Sequence, residues 1–381
     1  MILIKNAYLK PITSEDINNA DLLIGDDGKI AEIGIGLTVP NGAEIIDAEG
    51  RLTTPGLVEA HSHIGLGKPV YKDTDINEKV DPILPQLSAV DGIDPTNEYL
   101  VSAIEGGITS ACITPGSSNV VGGRAVAMKL HGSCVDKMII KYPAAMKCAF
   151  GENPKNAYGQ GSGKAPYTRM AIASLLRDLL GKTKRYLSDK ENGKNPTYDA
   201  KLEAMIPVIK KEIPLKTHAH RAYDILTAIR IAKEFDVNLT LDHCTEGHLI
   251  VEEVRDSGFP AIVGPSMCNK SKPELENRTF ATAGILHKAG VPVCITTDAS
   301  VTQQQYLPLC AGLAVSHGLP MEEGWRAITI NSAKVIGISD RVGSLEVGKD
   351  ADIVIWTADP LTTIGAKPVF TIVDGKVVYK A

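Results

Sequence analysis

The chain has 381 residues, of which 44% are hydrophobic and 5% aromatic. This length is enough to bury a large core, and it suits one domain of roughly 250 residues with a smaller one beside it. The formal net charge is −5, the pI is close to 6.0 and no dense run of lysine and arginine occurs, so neither nucleic acid nor an anionic membrane surface is expected as a partner.

Short strands separated by turns are predicted at both ends of the chain. Near the amino terminus they cover 1–4, 21–24, 30–35 and 44–47, with a hairpin turn at Asp26-Asp27-Gly28. Near the carboxyl terminus they cover 351–356, 368–373 and 376–379. Because isolated hairpins of this size are marginally stable, we expect the two ends to meet in one β-sandwich domain made of residues 1–54 and 344–381.

The middle of the chain, residues 55–343, alternates apolar strand-like runs with helical patterns, which is typical of a parallel α/β fold. The eight candidate strands cover 57–61, 108–113, 138–142, 144–150, 214–218, 239–243, 261–263 and 291–296. Helices are predicted between several of them, notably over 168–180, 222–235 and 249–257. Eight strands in about 290 residues predict a (β/α)8 barrel of the TIM type rather than an open sheet.

The seven cysteines are scattered, odd in number and never spaced as Cys-x-x-Cys, which predicts reduced thiols in a cytoplasmic protein. The first residues, Met1 to Asn6, turn polar too soon for a signal peptide. No uninterrupted apolar run approaches the ~20 residues of a membrane span. We therefore expect a cytoplasmic location.

Histidines follow the predicted barrel strands at their carboxyl ends, where this fold carries its active sites. His61 and His63 end the apolar run 54–63, and their i, i+2 spacing in a strand aims both imidazoles at one side. The corresponding positions of later strands carry His218, His220, His243 and Asp298. Imidazoles and a carboxylate that converge in this way predict a site for zinc or a similar divalent metal.

These motifs resemble those of the metal-dependent amidohydrolase superfamily, most closely its imidazolonepropionase-like and Xaa-Pro-dipeptidase-like branch. The segment 54–63 resembles the first barrel strand of the family. Its later motifs resemble Lys216-Thr217-His218-Ala219, Asp242-His243, Thr297-Asp298, and the closing segments 327–334 and 341–354. The resemblance implies a metal-dependent hydrolase that cleaves the C–N bond of an amide, a cyclic amide or a short peptide.

The resemblance also implies roles for individual residues. His61, His63, His218 and Asp298 are expected to hold the metal, most readily zinc, with iron or manganese as alternatives. Asp298 is expected to accept a proton from a metal-activated hydroxide and to deliver it to the leaving nitrogen. His243 is expected either to bind a second metal or to polarise the scissile carbonyl, so its role decides whether one or two ions bind.

A bridging ligand for a second metal is expected from the middle of the barrel, where relatives commonly use a carboxylated lysine or a glutamate. Lys147 lies inside an apolar strand, where an unmodified ammonium is costly to bury. Glu152 follows the same strand on the side where the site opens. The sequence leaves both residues as candidate ligands, with a preference for Glu152.

Substrate contacts are predicted from a departure in the fifth motif and from nearby cations. The imidazolonepropionase pattern resembles Lys-x-His-Ala-Asp-Glu at this motif, whereas this chain has His220 and Arg221 in place of the last two residues. This difference argues against an imidazolone substrate. On strand parity, His220 is predicted to contact the substrate or to support a ligand. Other cations that suit a substrate carboxylate are Arg124, Lys270, Lys272 and Arg278. Together they favour a small anionic amide such as an N-acyl amino acid or a dipeptide.

The segment 64–95, after the first barrel strand, is long enough to cover a ligand. Its polar side chains include Tyr71, Asp73, Asp75 and Glu78. We expect this segment to contribute to substrate binding.

Two other functions stay open at this point. A deaminase of a small heterocycle would use the same site chemistry to expel ammonia from an amidine carbon. A non-catalytic binding or scaffold homologue would show gaps in the ligand set, and no gap is seen in the sequence. A homo-oligomer is implied by the resemblance alone, and the expected partner is a small-molecule substrate.

Overall fold

The computed structural model describes residues 1–67, 74–161 and 163–381. Its strands are β1 (Ile2–Leu9), β2 (Ile17–Ile24), β3 (Ile30–Gly34), β4 (Glu44–Asp47), β5 (Leu52–Pro55), β6 (Leu57–Ser62), β7 (Ile108–Ile113), β8 (Val121–Lys129), β9 (Ile139–Ala149), β10 (Leu215–Ala219), β11 (Leu239–His243), β12 (Ala261–Val263), β13 (Val293–Ile295), β14 (Ile353–Trp356), β15 (Pro368–Val373) and β16 (Lys376–Lys380).

The α-helices are α1 (Glu98–Glu105), α2 (Val135–Met138), α3 (Glu152–Pro154), α4 (Arg169–Glu191), α5 (Ala200–Ile209), α6 (Ala222–Phe235), α7 (Val251–Ser257), α8 (Thr282–Lys288), α9 (Leu307–Ser316), α10 (Met321–Ala327) and α11 (Ile330–Val335). A π-helical turn covers Lys155–Gln160, and 3₁₀ turns cover Ala89–Gly92, Gly247–Leu249, Pro273–Leu275 and Gln304–Tyr306. No helix within the described ranges is both long and apolar enough to cross a bilayer.

The two ends of the chain share one sheet with its own core. Its strand order is β16-β15-β14-β5-β1-β2-β3, and β4 pairs with β1. The ends meet where β14 runs antiparallel to β5, and apolar side chains of both ends pack together beneath the sheet. The predicted hairpin turn is present, with Gly28 at a φ of 76° that an L side chain rarely adopts. The meeting of the ends is confirmed, while the division after residues 54 and 343 stays a prediction.

Strands β6 to β13 form the second sheet, which curves into a nearly closed eight-stranded barrel. The hydroxyl of Thr296 donates to the carbonyl of His61 at 2.9 Å, and the backbone N–H of His63 donates to the carbonyl of Ala299 at 2.8 Å. These bonds bring the segment after β13 back against β6. The predicted barrel is therefore confirmed, and the carboxyl ends of its parallel strands meet at one rim.

The prediction of the third barrel strand is wrong. The runs 138–142 and 144–150 belong to one strand, β9, and the third strand is β8, which pairs antiparallel with both β7 and β9. Pro143, between the two predicted runs, falls where the β8–β9 register shifts between Ala125 and Ala127, so the strand absorbs the missing N–H as an irregularity.

The three predicted helices are present at the expected positions, and two of them differ in length from the prediction. The helix predicted over 222–235 is α6 without change. The helix predicted over 168–180 begins where Thr168 caps α4 by accepting from the N–H of Ala171, and it continues to Glu191. The helix predicted over 249–257 starts later, at Val251, after a 3₁₀ turn. Helix α6 begins shortly after β10 ends, so His220 lies in the short connection between the two elements.

A buried lysine joins the barrel to the chain-end sheet. Lys129 ends β8, and its ammonium lies 2.7 Å from Asp352, 3.1 Å from Asp350 and 3.1 Å from Asp374. The Lys129 side chain is 3% exposed. Burial alone would lower the pKa of Lys129, but the three carboxylates outweigh it and raise this pKa.

Candidate metal centre and active site

The first candidate metal-binding group joins the first and last strands of the barrel. Oδ1 of Asp298 lies 3.4 Å from Nε2 of His61 and 3.3 Å from Nε2 of His63. Ligand atoms around a tetrahedral zinc, with bonds of about 2.0–2.1 Å, are separated by about 3.4 Å. These three side chains therefore have the spacing of a metal site before any ion is considered.

Hydrogen bonds orient both imidazoles of this group. Nδ1 of His61 donates to Oδ2 of Asp242 at 2.6 Å, and Nδ1 of His63 donates to the carbonyl of Thr114 at 2.6 Å. In a neutral ring, this leaves the Nε2 lone pair free to bind a metal. Asp242, noted in the sequence only as the neighbour of His243, thus supports His61.

The second group contains His218, His220 and His243. The ring of His243 lies 4.4 Å from that of His218 and 4.7 Å from that of His220, measured between centroids. All three side chains are buried. The geometry places His220 beside His218 and among the candidate ligands, whereas the sequence predicted that it contacts the substrate or supports a ligand.

The orientation of His243 bears on its two predicted roles. Its Nδ1 donates to the carbonyl of Gly264 at 2.8 Å, and its buried Nε2 has no hydrogen-bond partner among the described residues. Residue 264 has to be glycine, because a Cβ there would lie 2.2 Å from the carbonyl oxygen of Thr296. A neutral His243 presents a lone pair and no N–H at Nε2. This favours metal binding over polarisation of a substrate carbonyl.

Protonation also favours metal binding by both groups. Burial lowers the pKa values of His61, His218 and His220 well below the usual range, so these imidazoles are neutral at neutral pH. Burial alone would raise the pKa of Asp298, but the neighbouring His243, together with the two histidines of its own group, holds it far below its usual range. Neutral imidazoles and an ionised carboxylate are the forms that bind divalent ions.

Two residues of the candidate site have an unusual backbone conformation. His243 has a φ of 71° and Asp298 a φ of 50°, both in the left-handed region that residues other than glycine seldom adopt. Such conformations cost of order 1–3 kcal/mol each and cluster at functional sites.

Lys147 and Glu152 lie differently with respect to these groups. Nζ of Lys147 is buried and lies 3.2 Å from Nε2 of His61. Burial lowers the pKa of Lys147 to about 8. Glu152 is part-exposed, and its contact with this region is made by its backbone N–H, which donates to Oε2 of Glu274 at 3.2 Å. The geometry therefore favours Lys147 as the mid-barrel ligand, against the preference drawn from the sequence.

Two buried carboxylates beside the site were not singled out in the sequence. Glu59 accepts from the backbone N–H of His61 at 3.1 Å and from the hydroxyl of Thr297 at 2.7 Å, and burial raises its pKa to about 7. Glu274, on the turn after β12, reaches the second group. The position of Glu59 two residues before His61, on the same face of β6, was a usable signal, whereas no periodic pattern marks Glu274.

The two arginines predicted to bind the substrate, Arg221 and Arg124, contact other parts of the protein. Arg221 binds Glu246 at 2.7 Å and Glu276 at 3.2 Å. Arg124 donates to the carbonyl of Gln86 at 2.9 Å and stacks over Tyr142. The structure brings neither guanidinium into the histidine groups, because each is already held by its own neighbours.

Among the remaining cations, Arg278 is the one that faces a cavity. Lys270 donates to the carbonyl of Glu276 at 2.6 Å, and Lys272 pairs with Glu274. Arg278 lines an open cavity of about 570 Å³ together with Cys268 and Val301, and its buried Nε has no partner among the described residues. Because Val301 follows Asp298 closely, this cavity adjoins the candidate site.

A second cavity, of about 370 Å³, is lined by His63, Tyr99 and Gln304. It lies beside the first group. Of the segment expected to cover a ligand, Asp75 and Glu78 are exposed, while Tyr71 and Asp73 lie outside the described residues.

Comparisons with known proteins agree with this geometry. The sequence profile of the amidohydrolase family matches residues 52–378. The amidohydrolase tasK of Hapsidospora irregularis is 28% identical over 369 residues, a match covering 88% of this chain and 37% of that protein. The imidazolonepropionase of Bacillus velezensis is 27% identical over 369 residues, covering 89% of this chain and 83% of that one.

Solved structures extend the comparison. The crystal structure of an amidohydrolase from Thermotoga maritima is 39% identical, covers both chains completely and superposes with a TM-score of 0.96. A Xaa-Pro dipeptidase with bound methionine is 17% identical with a TM-score of 0.61, which is a likeness of fold alone.

A family match across the whole barrel, together with paired histidine groups at its rim, defines a metal-dependent hydrolase that acts on carbon–nitrogen bonds. More particularly, the chain belongs to the amidohydrolase family, in its imidazolonepropionase-like branch.

Proposed function

We propose that the protein is a two-metal, zinc-dependent amidohydrolase of small anionic amides, such as N-acyl amino acids or dipeptides. The observation that carries the metal count is the pair of adjacent ligand groups, His61, His63 and Asp298 beside His218, His220 and His243. Three imidazoles in one group suit zinc. The net charge of the protein supports a small-molecule substrate rather than nucleic acid or a membrane surface. The scattered cysteines support a cytoplasmic location.

The side chains divide the chemistry between them. A divalent ion, when bound, polarises the scissile carbonyl and lowers the pKa of water toward neutrality. Asp298 keeps its carboxylate ionised, and its Oδ1, aligned with the imidazoles of His61 and His63, would hold the ion. The other oxygen, Oδ2, would take the proton of the attacking water and pass it to the leaving nitrogen. Lys147, carboxylated on Nζ, would supply the oxygen ligands between the two groups.

A substrate carboxylate would bind to Arg278. The guanidinium can form a bidentate pair with a carboxylate, and the Arg278 side chain lines the cavity to which Val301, in the segment after Asp298, also contributes. We expect Arg278→Met to raise KM for a dipeptide by on the order of 10- to 100-fold, because a charge-assisted pair contributes about 1.5–3 kcal/mol. The dipeptide amide, which lacks the carboxylate, should show no such rise.

Lys270→Met is the matched control for this prediction, because Lys270 is held by the carbonyl of Glu276. Steady-state kinetics on both substrates measures the effect. An equal rise in KM for the acid and the amide would contradict recognition of the carboxylate by Arg278.

The proposed function is tested with a panel of N-acyl amino acids, dipeptides and amino heterocycles. We expect carboxylate release from the first two classes, complete loss of turnover after treatment with a chelator, and recovery on addition of Zn²⁺. Metal analysis of the purified protein should find close to two ions per chain. Ammonia release from the heterocycles alone would identify a deaminase, and absence of both metal and turnover would support a scaffold homologue.

A further inference from the structure

Glu274 brings a buried carboxylate to the second histidine group from a loop that carries no recognised ligand motif. Its Oε1 lies 3.6 Å from Nε2 of His218 and 3.6 Å from Nε2 of His220. These distances are close to the ligand spacing of about 3.4 Å expected around a tetrahedral ion. Oε1 is buried, and among the described residues it accepts no well-aligned hydrogen bond, although the Lys272 ammonium lies close to it.

The two oxygens of Glu274 are treated differently by the protein. Oε2 accepts the backbone N–H of Glu152 at 3.2 Å. It also lies so close to the backbone of Gly151 that a Cβ at that position would be 2.8 Å away from it. One oxygen is thus anchored in a narrow space while the other points at two imidazoles. Carboxylate ligands of metals are commonly oriented by hydrogen bonds of this kind.

A lysine ammonium lies beside Oε1, the oxygen that faces the two imidazoles. Nζ of Lys272 is 2.5 Å from Oε1 of Glu274, and the Lys272 side chain is 28% exposed whereas that of Glu274 is 1% exposed. Lys272 also donates to Oδ1 of Asn153 at 3.4 Å, and the amide of Asn153 donates to Nε2 of His218 at 3.3 Å. The Lys272 ammonium therefore neutralises the carboxylate from the solvent side and can withdraw into water when another cation binds.

We infer that Glu274 is a further protein ligand of the metal ion in the second group, and that Lys272 is the cation which this metal displaces. The inference rests on the proposed two-metal function, and it adds the Glu274 carboxylate to the three imidazoles and to the carboxylated Lys147 proposed above. Lys272 and Glu274 should therefore have opposite effects on metal binding. Removal of the glutamate lowers the affinity for the second ion, and removal of the lysine raises it.

Titration of the metal-depleted full-length protein with Co²⁺, followed by visible absorption, tests this inference. Wild type should bind two ions in separable phases. In Glu274→Gln, the affinity for the second ion should fall by at least about 100-fold with the first phase unchanged, since even supporting residues contribute about 10- to 100-fold. In Lys272→Met, the affinity for the second ion should rise by about 10-fold or more.

Two neighbouring substitutions serve as controls, Glu276→Gln and Lys270→Met. The Glu276 carboxylate is 70% exposed, and the Lys270 ammonium donates to the backbone carbonyl of Glu276. Both should titrate as wild type does. If Glu274→Gln or Lys272→Met leaves the second phase unchanged while turnover stays metal-dependent, the inference is wrong and the proposed function stands. If wild type binds no metal and turns over no substrate, both fail.

Discussion

Replacing Asp298 by asparagine is expected to lower kcat by about 10³- to 10⁴-fold while the protein stays folded. Asparagine keeps the size of the side chain but cannot accept a proton at neutral pH, and it removes the charge that faces His61 and His63 at 3.4 and 3.3 Å. General-base catalysis by a positioned side chain contributes about 10²- to 10⁴-fold, and loss of a charged ligand adds to this. Initial-rate kinetics at saturating substrate and added Zn²⁺ measures the loss.

Asp236→Asn is the matched control, because the Asp236 carboxylate is 81% exposed and pairs with Lys211 at 2.7 Å. It should keep the kcat of wild type. Circular dichroism and a thermal melt establish that both variants are folded. If Asp298→Asn kept more than a tenth of the wild-type kcat with metal bound, Asp298 would not be the proton carrier.

Replacing Lys129 by methionine is expected to lower the free energy of unfolding by about 3–5 kcal/mol. The substitution leaves Asp350, Asp352 and Asp374 facing one another without the ammonium that lies between them. Breaking a buried ion pair by removing one partner typically has a cost of this size. Arg341 still binds Asp350 at 2.7 Å and offsets part of the loss.

Urea-induced unfolding of metal-depleted protein, followed by tryptophan fluorescence, measures this change, since Trp356 belongs to the chain-end sheet. Lys376→Met, at an exposed lysine on β16, is the control and should lie within about 0.5 kcal/mol of wild type. A loss below about 1 kcal/mol for Lys129→Met would mean that the three carboxylates are stabilised by other means.

The barrel and the histidine groups were accessible from the sequence because both depend on short periodic patterns. His61 and His63 are spaced i, i+2, and so are His218 and His220. Each pair points to one side of its strand in any register that buries the flanking apolar residues. The third strand was not accessible. An antiparallel strand needs no crossover helix, so β8 had none of the helix signals that mark the other connections.

The parts of the site that the sequence did not predict lie on irregular backbone. Glu274 follows β12 on a 3₁₀ turn, where no period relates side-chain direction to position. The pairing of Arg221 with Glu246, and of Lys272 with Glu274, depends on loops meeting in space. Charged residues near a site can therefore be found from sequence, but which of them remain free for a substrate cannot.

The pairing of β5 with β14 has a consequence for how the protein folds as it is made. Nε1 of Trp356 donates to the hydroxyl of Thr54 across 302 residues of sequence. Strand β5 emerges from the ribosome early, and its partner emerges only after the whole barrel has been translated. Until then β5 presents an unpaired edge, which is a template for association between nascent chains. Closure of the barrel can precede completion of the chain-end sheet, so we expect the early strands to depend on chaperones during synthesis.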